Sequence, residues 1–158
     1  MLLLLIMPLS TSVLAQPQNE DTEPLSASAS FSKAGPHAGL WIAYLAPDGD
    51  LSVRVSHGQG DGQTTSQYFP HKERIVLLRR AIDEARFFQL KKEIVPATPQ
   101  EFHRPHYRLT VTLGAKQYSV AVDDPEKIGK TNEVKRFFIV WDALFSKLPF
   151  KPEIDDVR

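Results

Sequence analysis

Few residues of this chain are of a type and spacing that could do chemistry, and the closest to a motif is the histidine pair in "EFHRPHYRLTVTL", residues 101–113. On a helix, His103 and His106 would share a face and could chelate a metal. Pro105 argues against a helix, because it lacks a backbone donor and biases Arg104 toward an extended conformation. In an extended chain the two side chains lie roughly 10 Å apart and point to opposite sides. Zinc holds its nitrogen ligands at about 2 Å, so one ion cannot bridge that separation. The pair therefore reads as the polar start of a strand. A metal site would have to gather His57, His71 and His106 from separate elements, and a metal-dependent hydrolase is the enzymatic alternative on that basis.

The remaining candidates are weaker. "DGDLS" places Asp48, Asp50 and Ser52 at calcium-loop spacing, but Val53 and Gln59 stand where such a loop needs Gly and Glu. "GQGDG", with Gly60 and Asp61, has the glycines of a phosphate cradle without its Lys-Ser/Thr or an adjoining helix. The carboxylate pairs Asp123-Asp124 and Asp155-Asp156 fall in a loop and a tail, where burial cannot raise a pKa for acid–base work. The chain has no cysteine and no Gly-x-Ser-x-Gly elbow. These observations point away from an enzyme, with no cofactor and no metal implied.

The elements that would position a site follow from periodicity. "GLWIAYLA" and "LSVRVSH" read as two strands joined at Asp48-Gly49, a strong hairpin signal. "GQGDGQTTSQYFP" follows as a glycine-bearing loop. From Lys72, apolar residues at Ile75, Leu78, Ile82 and Ala85 predict an amphipathic helix, with Phe88 next. "HYRLTVTLG" and "QYSVAVD" alternate around a turn at Gly114. "DDPEKIGKT" is a further loop. A second helix carries Val134, Phe137, Phe138, Trp141, Leu144, Phe145 and Leu148, capped by Thr131 or Asn132 and stopped by Pro149. Both helices contain Arg-Phe-Phe, at residues 86–88 and 136–138. The expected fold is α+β: a four-stranded antiparallel sheet in ββα–ββα order with two amphipathic helices packed on one face.

The other sheet face is then left to water. Its expected members are Ser52, Arg54, Ser56, His106, Arg108, Thr110, Thr112, Gln117 and Ser119, with two arginines and no acid. Arg54, His106, Arg108 and Thr110, together with Gly60 and Asp61 of the glycine loop, form the candidate partner-binding set. Arginine offers bidentate contacts and is favoured at interfaces.

Residues 1–15 have the apolar run and small-residue cleavage pattern of an export signal, ending before Gln16, and are too short and too interrupted by Pro8 for a membrane span. Residues 16–38 are rich in Pro, Ser, Ala and acid and read as a disordered tether. Residues 39–150 make a single α+β domain, and 151–158 a flexible tail. Nineteen basic residues balance nineteen acidic ones, so no overall field favours nucleic acid.

The alternating strand pair, the helix ending in Phe87-Phe88-Gln89-Leu90, the hairpin "RLTVTLGAKQYSVAV" and the closing helix resemble small ββαββα domains of unknown function in exported bacterial proteins. The resemblance covers about residues 40–148 and implies fold and export, but no site. Many such domains carry cysteines near the first strand, and this chain has none. The expected function is an exported, non-enzymatic domain that binds a protein or anionic partner, such as another envelope or secreted protein, through the sheet face or glycine loop. An inhibitor of a secreted or periplasmic enzyme, presenting residues 58–69, is a second form of the same idea.

Overall fold

In a computed structural model, the protein is described at residues 23–33, 39–57, 64–98, 105–146 and 148. Residues 1–22, which include the expected export signal, and 151–158, the expected tail, lie outside these. The strands are β1 (Leu25–Lys33), β2 (Gly39–Leu45), β3 (Asp50–His57), β4 (Thr64–Pro70), β5 (Glu93–Ile94), β6 (His106–Leu113) and β7 (Lys116–Asp123). The helices are α1 (Glu73–Ala85), α2 (Pro125–Ile128) and α3 (Asn132–Leu144), with a 3₁₀ turn at Phe87–Gln89.

The strands form one sheet in the order β4-β3-β2-β1-β6-β7-β5. All pairings are antiparallel except β5 on β7, which is parallel. This corrects the expected four-stranded antiparallel sheet with two helices: the sheet is seven-stranded and mixed, and there is a third helix. The four expected strands are β2, β3, β6 and β7. The largest correction is β1, which lies within residues 16–38, read above as tether. Its sequence "LSASASFSK" alternates strictly, with Leu25, Ala27, Ala29 and Phe31 buried and the serines between them less so. β4 occupies the end of the expected glycine loop, and β5 is too short to show a period. α2 forms inside "DDPEKIGKT", with Pro125 in its first turn, where a missing amide costs nothing.

The buried face of the sheet carries Leu51 and Val53 of β3, Ala43 and Leu45 of β2, Tyr107 and Leu109 of β6, and Val120 and Val122 of β7. α1 and α3 lie side by side on it, and Leu78, Ile82, Phe137, Val140 and Leu144 complete a single core. Tyr107 is the hinge of the aromatic packing. Its ring centroid is 4.9 Å from Phe31, 5.3 Å from Phe138 and 5.3 Å from Trp141.

Two arginines lock the layers. Arg136 of α3 donates from Nε to the Ala85 carbonyl at 2.6 Å and from Nη2 to the Arg86 carbonyl at 2.9 Å. It thereby satisfies the orphan acceptors at the end of α1 and places a cation at that helix's negative pole. Arg86 itself takes the left-handed conformation (φ 47°) and ends α1. The two Arg-Phe-Phe triplets are therefore not equivalent positions. Arg74 is buried and donates from Nη1 to the carbonyls of Gly49 (3.3 Å) and Phe69 (3.0 Å), tying α1 to the β2–β3 turn and to β4. Burial pushes its guanidinium pKa down, and the charge of Asp50 opposes that shift.

Gly49 is required in that turn. Its φ is 94°, and a Cβ there would lie 2.8 Å from the Lys72 Cα and 2.9 Å from the His71 carbonyl oxygen. Gly49→Ala should destabilise the domain by about 2 kcal/mol or more in urea unfolding, since strain and clash add. An unchanged midpoint would mean the turn has room to shift. Tyr107 gives the opposite expectation. Its hydroxyl is buried and, among the described residues, has no hydrogen-bond partner. Tyr107→Phe removes an uncompensated polar group and should raise stability by roughly 1 kcal/mol; a loss of that size would reveal a partner for the hydroxyl.

Candidate functional site

With both long helices on one side, the opposite face of the sheet is left exposed among the described residues. Residues directly opposite in neighbouring strands share a face, so the register defines its rows. One row runs Tyr68–Ser52–Tyr44–Ser28–Thr110–Ser119 from β4 to β7. The next runs Ser66–Arg54–Ile42–Ser30–Arg108–Ala121, and a third Ser56–Leu40–Ser32–His106–Asp123. Four of the expected site residues, Arg54, His106, Arg108 and Thr110, therefore do share one face. Arg54 and Arg108 share a row, three strand spacings or about 14 Å apart. Gly60 and Asp61 lie outside the described residues.

Three features of the face were not expected. β1 and β2 stand between the two arginine-bearing strands, so serines and an apolar ridge separate the arginines. That ridge is Leu40, Ile42 and Tyr44, at 41%, 44% and 51% exposure, with Tyr68 at 62% on β4. The face also carries acid. Asp123 stands beside His106, and the Tyr68 hydroxyl donates to the Asp50 carboxylate. The signal for the ridge was present in "GLWIAYLA", where apolar residues occupy both parities and only one parity can enter the core. Tyr68 is hidden in the sequence because "GQGDGQTTSQYFP" has the composition of a loop rather than of a strand.

The Tyr68–Asp50 contact fixes an exposed ring beside Ser52. It also raises the Tyr68 pKa from 10.0 to about 12, chiefly through the hydrogen bond, with smaller contributions from desolvation and the charges of Asp50 and Asp48. Elsewhere the polar groups pair across the strands: Thr110 Oγ1 donates to Ser119 Oγ at 3.0 Å, and the Gln117 amide Nε2 donates to Thr112 Oγ1 at 3.3 Å. Thr110 is thus held by its neighbour strand.

Ser32, His106 and Asp123 lie in one row, the order of an acyl-transfer triad, and His106 Nδ1 contacts Asp123 Oδ1. The geometry does not complete one. Ser32 makes no hydrogen bond to His106, and β1 is paired on both sides, so its ladder amides are engaged rather than free to hold an oxyanion. The row acts as a polar cross-strand clamp. The histidines do not assemble either. His71 follows β4 at the end of the sheet opposite His106, and three strand spacings separate β3, which ends at His57, from β6. Among the described residues, no group of three or more His, Cys, Asp or Glu could hold a metal. On the helical side, a shallow groove along α1 is lined by Ile75, Val76, Arg79, Arg80, Asp83 and Glu84. Its alternating charges make it a solvated helix surface.

No helix among the described residues is long and apolar enough to cross a membrane. No family model matches the chain, and no curated protein matches it in sequence.

The Tyr68 shift supplies a direct probe of this face. A raised folded-state pKa contributes stability that is present below the ordinary value of 10.0 and is lost as pH rises through about 12. The difference in ultraviolet titration between the wild type and Tyr68→Phe should show one phenol titrating near 12. In an Asp50→Asn background that phenol should titrate lower, toward 10.0. No change on removing the carboxylate would show that the Tyr68–Asp50 bond does not form in solution.

Proposed function

We propose that the domain is a non-catalytic binding module that docks a protein partner on the open face of its sheet. The observation that carries this is the Leu40–Ile42–Tyr44 ridge, three exposed apolar side chains in succession on β2, flanked by serines on β1 and by Ser52, Arg54 and Ser56 on β3. Interfaces combine an apolar or aromatic centre with a polar rim, and their energy concentrates in Tyr, Trp and Arg. Isolated exposed apolar residues are ordinary, but a row of them on an uncovered face marks a surface that gains from being covered. Asp123 and Asp50 offset the arginines, which favours a protein over a purely anionic ligand. If residues 1–15 act as the expected export signal, the partner is an envelope or secreted protein.

A photo-crosslinking amino acid at Ile42, exposed to an envelope extract, should capture a discrete partner. The same group at Val76, 69% exposed on the helical side, should not. Arg54→Glu should reduce capture from Ile42 about ten-fold, equivalent to roughly 1.4 kcal/mol. Equal capture from both positions, or capture from Val76 alone, would move the interface off this face.

A further inference from the structure

The two edges of the sheet are built differently. β5 is two residues long, pairs in parallel, contains Glu93 and follows Lys91 and Lys92. Shortness and charge are the usual guards against unwanted strand pairing. β4 has neither. It is seven residues long, it pairs with β3 along its whole length, and its outer side meets no other strand among the described residues. Its sequence "TTSQYFP" contains no charge, and its only guard is Pro70, its last residue. Ser66, Gln67 and Tyr68 are exposed, and Phe69 is only partly covered.

We infer that β4 is a strand-addition site whose occupant is β4 of a second copy of this chain, paired antiparallel about a two-fold axis. Strand addition uses the main-chain donors and acceptors that an edge leaves open. The commitment to a second copy rests on self-complementarity. A two-fold antiparallel pairing about the middle of β4 places Gln67 opposite its own copy and every other residue opposite a residue of the same strand, and with no charged side chain it never opposes like charges. Because opposite residues share a face, the two open faces continue on one side across the seam, and the two helical layers on the other. Tyr68 and Phe69 each gain a neighbour from the partner strand. The interface closes after two copies, since among the described residues each domain has one unguarded edge. The inference is independent of which partner the open face binds.

The full-length chain should sediment as a dimer in the micromolar range. Gln67→Lys puts a charge in the middle of the edge at a position already exposed, so the domain should remain folded by circular dichroism. It should raise the dimer dissociation constant at least about ten-fold. A second variant does not depend on that tolerance. The chain has no native cysteine, so Gln67→Cys should form an intermolecular disulfide under mild oxidation, whereas Val76→Cys at the same concentration should not. A chain that stays monomeric to about 1 mM, a dimer that Gln67→Lys leaves intact, or equal cross-linking by the two cysteine variants would each overturn the inference. So would a monomer whose β4 edge is filled only by an extended segment of another protein.

Discussion

The structure depends on β1 being hydrogen-bonded on both sides. It pairs with β2 from Ala27 to Lys33 and with β6 from Leu25 to Ser32. In the order β4-β3-β2-β1-β6-β7-β5, it alone joins the N-terminal meander to the C-terminal strands. Without it the sheet would fall into two three-stranded pieces, each with a raw edge. Its side chains suit a central place. Ala27 and Ala29 face the helices and leave room beneath them, and Phe31 packs against Tyr107, which in turn meets Phe138 and Trp141 of α3. One strand therefore couples the ladder to the aromatic core.

The open face is a consequence of the same arrangement. α1 and α3 pack together, and Arg136 closes the end of α1 through two carbonyls, so both helices stay on one side. The other side is left with the opposite parity of every strand. On β1 that parity is serine, but on β2 it is Leu40, Ile42 and Tyr44. The burial of Ala43 and Leu45, with Trp41 partly covered beside them, does not explain why their neighbours are apolar. A partner covering this face, as proposed, would explain it.

The sequence made the local elements legible where periodicity was strong. β3, β6 and β7 alternate cleanly, Gly49 and Gly114 mark their turns with positive φ, and Thr131 caps α3 through Val134 N. Parity was enough to place Arg54, His106, Arg108 and Thr110 on one face. β1 was lost although it alternates, because serine and alanine have little intrinsic strand preference and the surrounding composition is that of a linker. β4 is a polar edge with one half-covered apolar residue, and β5 is two residues long. Strand order was not legible at all, because it is set by long-range pairing. Without β1 in the centre, nothing in the chain says that Ile42 and Ser30 lie between Arg54 and Arg108. The acid on the face was lost for a related reason: Asp123 and Asp50 stand at strand ends, where sequence alone does not decide which parity continues.

The most direct test of this account is the hydrogen exchange of the amides from Ala27 to Phe31. A central strand exchanges only when the whole domain opens. The structure therefore predicts that these amides are among the slowest in the chain, matching those of Leu109 and Val111 on β6. Exchange at the rate of an unstructured peptide would show that β1 is a tether after all, and would remove both the seven-stranded sheet and the continuous face built on it.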